Sequence, residues 1–257
     1  MIGALRRTGV RLALLGVAAY LVFLAATLPA SWVHYALERA SGGALALGDS
    51  RGTIWNGRGA LAARSGDGFR AIGDIQWRSN PLSIFTTGRL SIAVTGSAPG
   101  ADLKANVGVG LRSLRVQNLE ASIPVTMLEP VIPGAALAKP QGRVRVTADS
   151  LEMGPGSVRG AATAEWSEAG MTGIARIGDY RLQVTGNGDS AAIKLATLRG
   201  DLRVRGDGQW TAKEPRVVRM RGVAETSPGR KELEPLLTLV AGGGSGNMRQ
   251  FGWVLDI

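Results

Sequence analysis

The sequence predicts a mainly β protein, in which an N-terminal transmembrane helix precedes one large, curved antiparallel β-sheet with two short helices. Three observations lead to this prediction. Residues 12–28 contain no charged side chain. From Ala44 onward, apolar and polar residues alternate with a period of two, as in strands with one dry and one solvated face. The chain also has 37 glycines, many of them at the breaks between alternating segments, where tight turns need them.

The charge-free stretch is long enough to anchor the chain in a membrane. As a helix it spans roughly 26 Å, close to the ~30 Å of a bilayer hydrocarbon core. Arg6, Arg7 and Arg11 precede it, and arginines beside a span mark the cytoplasmic side. A cleavable signal peptide is the alternative, which Leu28 and Pro29 disfavour because small residues are needed at a cleavage site. We therefore expect residues 1–30 to form a cytoplasmic arm and a retained signal-anchor.

A short juxtamembrane helix is expected over residues 31–43. Val33, Leu37 and Ala40 recur at helical spacing, and Gly42 with Gly43 is a typical end for a helix. Trp32 and Tyr35 suit an aromatic belt at the outer membrane interface.

The remaining residues, 44–257, are predicted to form the β-domain outside the cytoplasm. Alternation is clearest at residues 89–95, 142–147, 180–185 and 201–205, and turns are expected at 66–68, 96–100, 154–156, 186–188 and 206–208. A helical turn is expected within residues 124–133 and a helix at 232–241. The glycine-rich run 242–246 then precedes a terminal strand at 249–257.

A weak internal repeat suggests two similar β-meanders, at about 44–123 and 140–225. Trp77 and Trp166 each close a strand and are followed by similar segments, at residues 88–96 and 178–186. Chance similarity between amphipathic strands accounts for the match equally well.

The composition limits the classes of partner. Thirty Lys and Arg against twenty Asp and Glu give a net charge of +10, of which three charges precede the anchor. Such a surface favours anionic lipid head groups or an acidic protein. A solvated strand face is the alternative, because the basic residues are scattered singly along the alternating segments. Nucleic acid is excluded as a partner, since aromatic residues are only 5% of the chain and no recognition motif is present.

The sequence lacks the residues that catalysis requires. It has no cysteine and a single histidine, His34, which with Glu38 one turn later supplies only two of the ligands that a metal site needs. No nucleophile-elbow or phosphate-loop motif is present. Neither an enzyme nor a cofactor or metal site is therefore expected.

The sequence resembles the type II secretion system protein N family over nearly its whole length. Residues 52–59 read Gly-Thr-Ile-Trp-Asn-Gly-Arg-Gly, which is similar to the G-T-(L/V)-W-x-G segment of that family. Further matches follow in order at residues 75–78, 81–82, 88–90, 160–166, 177–180 and 233–240, whereas the tail after Gly246 matches least. The residues that carry the resemblance are Gly52, Thr53, Trp55, Gly57, Trp77, Pro81, Gly88, Trp166, Gly178 and Tyr180.

The resemblance implies an accessory, single-pass inner-membrane component of a Gram-negative secretory machine. Its periplasmic domain would help to export folded proteins across the outer membrane, with other secretion-system subunits as partners. It implies no catalytic residue, and we expect the motif residues to be structural. The alternative is a lipid-binding or lipid-transfer protein, in which the sheet curls into an open gutter lined by apolar side chains.

Overall fold

One antiparallel sheet of thirteen strands makes up most of the protein. The computed structural model describes residues 2–65, 68–128, 139–171, 173–242 and 246–256. Within them the strands lie side by side in chain order, each paired with the one before it. They are β1 (Leu45–Gly52), β2 (Asn56–Ser65), β3 (Gly68–Asn80), β4 (Leu90–Ala98), β5 (Ala101–Val109), β6 (Leu114–Pro124), β7 (Pro140–Gly154), β8 (Ser157–Met171), β9 (Ile174–Gly188), β10 (Ser190–Gly200), β11 (Leu202–Thr211), β12 (Glu214–Thr226) and β13 (Met248–Asp256).

Helices lie before the sheet and in two of its connections. They are α1 (Ile2–Thr27), α2 (Ser31–Ala40), α3 (Ser83–Thr87) and α4 (Glu234–Ala241), with 3₁₀ turns at Val125–Leu128 and Lys231–Leu233. Within the part of the chain that the structure describes, no helix combines the length and apolar character that crossing a membrane requires.

The alternating sequence pattern gives the sheet two chemically different faces. Residues that pair on neighbouring strands point to the same side of the sheet. The observed pairing therefore places apolar side chains of all thirteen strands on one side. We call this side the apolar face and the other the polar face. The apolar face contains, one per strand, Leu47, Leu61, Ile75, Val94, Leu103, Ala121, Val146, Ala164, Leu182, Leu195, Val204, Met220 and Phe251.

Helices cover the apolar face beside its first strands and beside its last strands. On the first strands, Val33 and Leu37 of α2 pack with Leu47 and Trp77. On the last strands, α4 and the 3₁₀ turn before it pack against β11–β13, and Leu233, Leu237 and Phe251 belong to the same core cluster. The core therefore sits in two separate places on one side of the sheet.

Most predicted elements are confirmed. The four alternating segments lie in β4, β7, β9 and β11, the helix expected within residues 31–43 is α2, and the helix predicted at 232–241 is α4 with the turn before it. The predicted turn within 124–133 is the 3₁₀ turn at Val125–Leu128, and residues 129–133 lie outside the described residues. The curvature of the sheet and its division into halves stay predictions.

Two predictions about local structure are wrong, and one element was not predicted. Residues 206–208 lie inside β11 rather than at a turn, because their glycines leave room for packing on the apolar face. Residues 186–188 end β9, and the turn falls at Asp189. Helix α3 was not predicted. The turn predicted at 66–68 and the run 242–246 fall partly outside the described residues.

Candidate functional site: the helix junction, the apolar face and the sheet edges

The tryptophan of the Gly52–Gly59 segment connects the N-terminal helix to the sheet. The indole N–H of half-buried Trp55 donates to the carbonyl oxygen of Ala25 across 2.7 Å. That carbonyl belongs to the last turn of α1, where helical carbonyls lack a partner within the helix. The Ile54 amide likewise donates to the Leu28 carbonyl at 3.0 Å. The segment thus caps the C-terminus of α1 and fixes where that helix leaves the sheet.

The neighbouring motif residues hold this junction against the apolar face. Trp77 is buried, and its indole N–H donates to the Thr53 carbonyl at 3.1 Å. Gly57 lies directly beneath the ring, because an added Cβ would come within 2.4 Å of Trp77 Cζ2. Gly52 has a φ of +94°, which favours glycine. These residues therefore shape the junction through packing and backbone hydrogen bonds.

Pro81 and Gly88 bracket α3 beside the junction. The Ser83 hydroxyl accepts the Ser91 amide at 2.8 Å, and the carbonyl oxygens of Asn80, at 2.5 Å, and Arg89, at 2.9 Å, lie within reach of its one proton. Gly88 ends the helix at a φ of +69°. This short helix projects beyond the strands at the connection between β3 and β4.

The other three motif residues form a second group on β8 and β9. The rings of Trp166 and Tyr180 lie 5.9 Å apart, and the Tyr180 hydroxyl donates to the Leu202 carbonyl at 3.0 Å. Burial raises the pKa of that hydroxyl. A Cβ on Gly178 would meet the Arg199 carbonyl at 2.7 Å. The ten motif residues thus fall into two structural groups rather than one site.

Asp179, which lies between two of these motif residues, is a buried charge that the sequence analysis did not single out. Its carboxylate accepts the Arg199 guanidinium and, at 2.6 Å, the amide of Glu168, a residue with a φ of +53°. The Arg199 hydrogen bond, followed by that of the Glu168 amide, holds the pKa of Asp179 below its ordinary value of 3.8. The carboxylate therefore fixes the irregular pairing between β8 and β9.

A second missed residue, Arg249, holds α4 on the apolar face. Its buried guanidinium donates to the Thr238 hydroxyl at 2.9 Å and to the Gly242 carbonyl at 3.1 Å. Cations favour the C-terminus of a helix. The only sequence signal was one arginine at a position where the alternation of β13 demands an apolar residue.

Between the two helices, the described residues leave the apolar face half-exposed. Val94, Leu103, Val146 and Val184 are all partly accessible, and Leu182 is 36% exposed. A pocket of about 80 Å³ opens on this face. It is lined mainly by apolar side chains of β2–β6 and the turn that follows, among them Leu61, Ile72, Ile75, Leu103, Ile123 and Met127.

The two edges of the sheet differ in how their backbone groups are satisfied. On β1 the Leu45 amide donates to the Ser41 hydroxyl at 3.0 Å, and the Leu47 amide donates to Nδ1 of His34 at 3.1 Å. Helix α2 therefore closes this edge. The Nδ1 of His34 is thus occupied by a backbone hydrogen bond.

The opposite edge, β13, is open among the described residues. The Thr226 amide donates to the Asn247 carbonyl, and the ladder from β12 to β13 has no register shift. Because alternate residues of a strand point their backbone groups to opposite sides, Gln250, Gly252 and Val254 present theirs away from β12. No described strand pairs with them.

Among the described residues, no group of three or more His, Cys, Asp or Glu side chains is arranged to hold a metal ion. Several carboxylates are engaged with arginines. Glu152 binds Arg89 at 2.6 Å and Arg115 at 2.7 Å, and the Arg115 hydrogen bond lowers the pKa of this carboxyl. On the polar face Glu152 of β7 therefore binds Arg115 of the neighbouring strand β6 and also Arg89, which precedes β4.

Comparison with known proteins gives one match. The family model for the type II secretion system (T2SS), protein N, matches residues 43–249. The match includes all ten motif residues and ends at the second residue of β13. No curated protein and no solved structure matches the chain.

Proposed function

Because the chain belongs to the type II secretion system protein N family, we propose that it is a non-catalytic, inner-membrane-anchored component of that machine. Its β-domain lies in the periplasm, where it assists the export of folded proteins across the outer membrane. The observation that carries the proposal is the family match over residues 43–249.

The sequence and exposure of α1 support the anchoring. Residues 12–28 carry no charge, and Arg6, Arg7 and Arg11 lie before them, as expected for the cytoplasmic end of a span. In the described part of α1, large apolar side chains from Leu14 to Leu24 are exposed. The Trp55 contact then ties the end of this helix to the sheet.

We further propose that another secretion-system subunit binds by adding a strand to β13. Natural sheets protect their edges with proline, lysine, bulges or covering segments. The β1 edge is covered by α2, whereas β13 has neither proline nor lysine and pairs regularly along its length. Its exposed side chains include Val254 and Leu255, which supports pairing with an extended apolar segment.

A pair of substitutions at one glycine tests this contact. Gly252→Pro removes an outward amide, whereas Gly252→Ala keeps it, and a Cβ at this position meets nothing within 4 Å. Proline is tolerated in an edge strand when its position faces away from the ladder. We expect the proline variant to accumulate exoproteins in the periplasm and the alanine variant to export them normally. Normal export by both folded variants would contradict docking at β13.

The secretion role itself is tested by deleting the gene. Folded exoproteins should then remain in the periplasm, and a plasmid copy should restore their export. Unchanged export after deletion would contradict the assignment, whatever the result at β13.

The half-exposed apolar face favours a second candidate function, lipid binding along the sheet. A row of apolar side chains runs from α2, next to the proposed anchor, to α4, and acyl chains match its chemistry. Native mass spectrometry of the full chain in detergent tests this. Leu182→Glu on the apolar face should remove co-purifying lipid, whereas Gln183→Glu on the polar face should not. Absence of stoichiometric lipid in the wild type would contradict the candidate.

A further inference from the structure

Exposed apolar side chains concentrate at one end of the sheet. Strands run antiparallel in chain order, so every odd-numbered strand ends at the same end. We call it the junction end, because β1 ends there and Thr53 forms a bridge with Pro29, between α1 and α2. The opposite end is the far end. The connection from β3 to β4 and that from β5 to β6 both lie at the junction end.

These two connections carry unusually apolar tips. Phe85 of α3 is 86% exposed, and Leu82, the residue before this helix, is 69% exposed. Ile84 of α3 is also exposed. Leu111, at the tip between β5 and β6, is fully exposed. The described far-end connections from β4 to β5 and from β10 to β11 are instead built from Pro99, Gly100 and Asp201, and the longer one from β12 to β13 exposes a single leucine of α4, Leu239. Single exposed apolar residues are common, but their clustering at one end of a sheet marks an interaction surface.

The surroundings of these tips resemble a membrane interface. Arg112 follows Leu111 directly, and cations beside apolar side chains favour anionic head groups. Trp32 and Tyr35, on the helix that starts at the junction end, are both more than half exposed. Tryptophan and tyrosine are enriched where a membrane meets water. From β1, beside the end of α1, to β6, beside Leu111, there are five strand spacings, or about 24 Å. The exposed aromatic and apolar side chains at the junction end are therefore spread over about this distance.

We propose that the junction end of the sheet rests on the outer leaflet of the inner membrane, with Leu82, Phe85 and Leu111 inserted among the lipid head groups. This inference rests on the proposed anchoring of α1. Tip insertion adds a second attachment to the single helix. It orients the strands away from the membrane, so that the covered β1 edge and the open β13 edge both extend into the periplasm.

Single-cysteine labelling of the full chain in lipid vesicles tests the inference. The protein has no cysteine of its own, so each introduced thiol gives an unambiguous signal. Phe85→Cys and Leu111→Cys would each carry an environment-sensitive fluorophore, in bilayers of phosphatidylethanolamine and phosphatidylglycerol that contain lipids spin-labelled near the head group. Leu198→Cys is the matched control, because this leucine is 46% exposed near the far end of β10. Val17→Cys reports on α1.

We expect the labels at residues 85 and 111 to be quenched and blue-shifted, and the label at residue 198 to show neither change. Quenching at residue 17 with none at 85 and 111 would overturn the inference and leave the anchoring intact. No quenching at residue 17 would overturn the anchoring itself. Because both tip side chains are exposed, Phe85→Ser and Leu111→Ser should leave the urea unfolding midpoint unchanged, while the double variant lowers binding of the solubilised chain to added vesicles.

Discussion

Phe251 on β13 packs directly over Gly222 on β12, its register partner. A Cβ at Gly222 would lie 2.5 Å from Cζ of the phenylalanine ring and 2.2 Å from the Arg205 carbonyl oxygen. Gly206 on β11 also faces the ring, with its added Cβ at 3.1 Å. Two glycines on adjacent strands thus form the depression in which Phe251 lies beneath α4.

Gly222→Ala should destabilise the protein because the ring and the backbone cannot both move away. Overpacking of this kind costs about 1–3 kcal/mol in the free energy of unfolding. Urea unfolding followed by tryptophan fluorescence measures the loss. Gly252→Ala is the control, since a Cβ there meets no atom within 4 Å, and its effect should stay within about 0.5 kcal/mol. Equal midpoints for the two variants would refute the packing argument.

The fold was largely predictable because strands with one buried face must alternate, and segments such as 89–95 do so without interruption. The same rule failed at residues 206–208. Two glycines flanking a polar residue predict a turn, but here Gly206 makes room for the ring of Phe251, a residue more than forty positions later in the chain. The order of the strands and the closure of β1 also depend on contacts between distant residues, which periodicity does not encode.

The sequence singled out the motif residues but not the contacts that they make. Trp55 was expected to be structural, yet its partner, the Ala25 carbonyl, lies in a different element and carries no side-chain signal. Asp179 was visible only as a polar residue between glycine and tyrosine. Its function depends on the Glu168 backbone amide, which becomes available through a local irregularity in β8.

Asp179 should make the free energy of unfolding depend on pH. Its pKa is lower in the folded protein than its ordinary value of 3.8, because the carboxylate accepts the Arg199 guanidinium and the Glu168 amide. Stability from this group is therefore complete above pH 3.8 and is lost as the pH falls through the lower folded value. The stability difference between wild type and Asp179→Asn, measured by urea unfolding, should stay constant from about pH 7 to about pH 5 and shrink as the pH falls toward about pH 2. A difference that stays constant would contradict this role.

Removing the carboxylate altogether should cost more than neutralising it. Asp179→Ala removes the acceptor of the partly buried Glu168 amide, and a hydrogen bond to a charged group is worth about 1.5–3 kcal/mol. Asp179→Asn keeps an oxygen in place and should lose less at neutral pH. Thermal unfolding of both variants checks the order, and a more stable alanine variant would contradict the hydrogen-bond argument.

Trp55→Phe should loosen the contact between α1 and the sheet while leaving the sheet folded. The ring remains but the N–H that caps the Ala25 carbonyl is lost, at a cost of about 0.5–1.5 kcal/mol. Hydrogen exchange measured by mass spectrometry should become faster in peptides covering residues 24–31 and 53–56. Trp210→Phe is the matched control, because its indole N–H donates to the carbonyl oxygen of Pro215 at the start of β12, away from α1. Faster exchange at residues 24–31 in both variants would show that the effect is not local.

The closure of the β1 edge predicts a gain of self-association when its caps are removed. In the double variant His34→Ala/Ser41→Ala, the Leu45 and Leu47 amides lose their acceptors, and β1 becomes an unprotected edge. Two open edges on one sheet allow head-to-tail pairing of β1 with β13, which forms open chains rather than closed dimers. Size-exclusion chromatography with light scattering should therefore show masses that rise with concentration. The control is Ser167→Ala, which changes an exposed serine on the internal strand β8 and should leave the mass independent of concentration, as in the wild type. If the double variant also keeps a constant mass, α2 covers the edge by packing alone and the prediction is wrong.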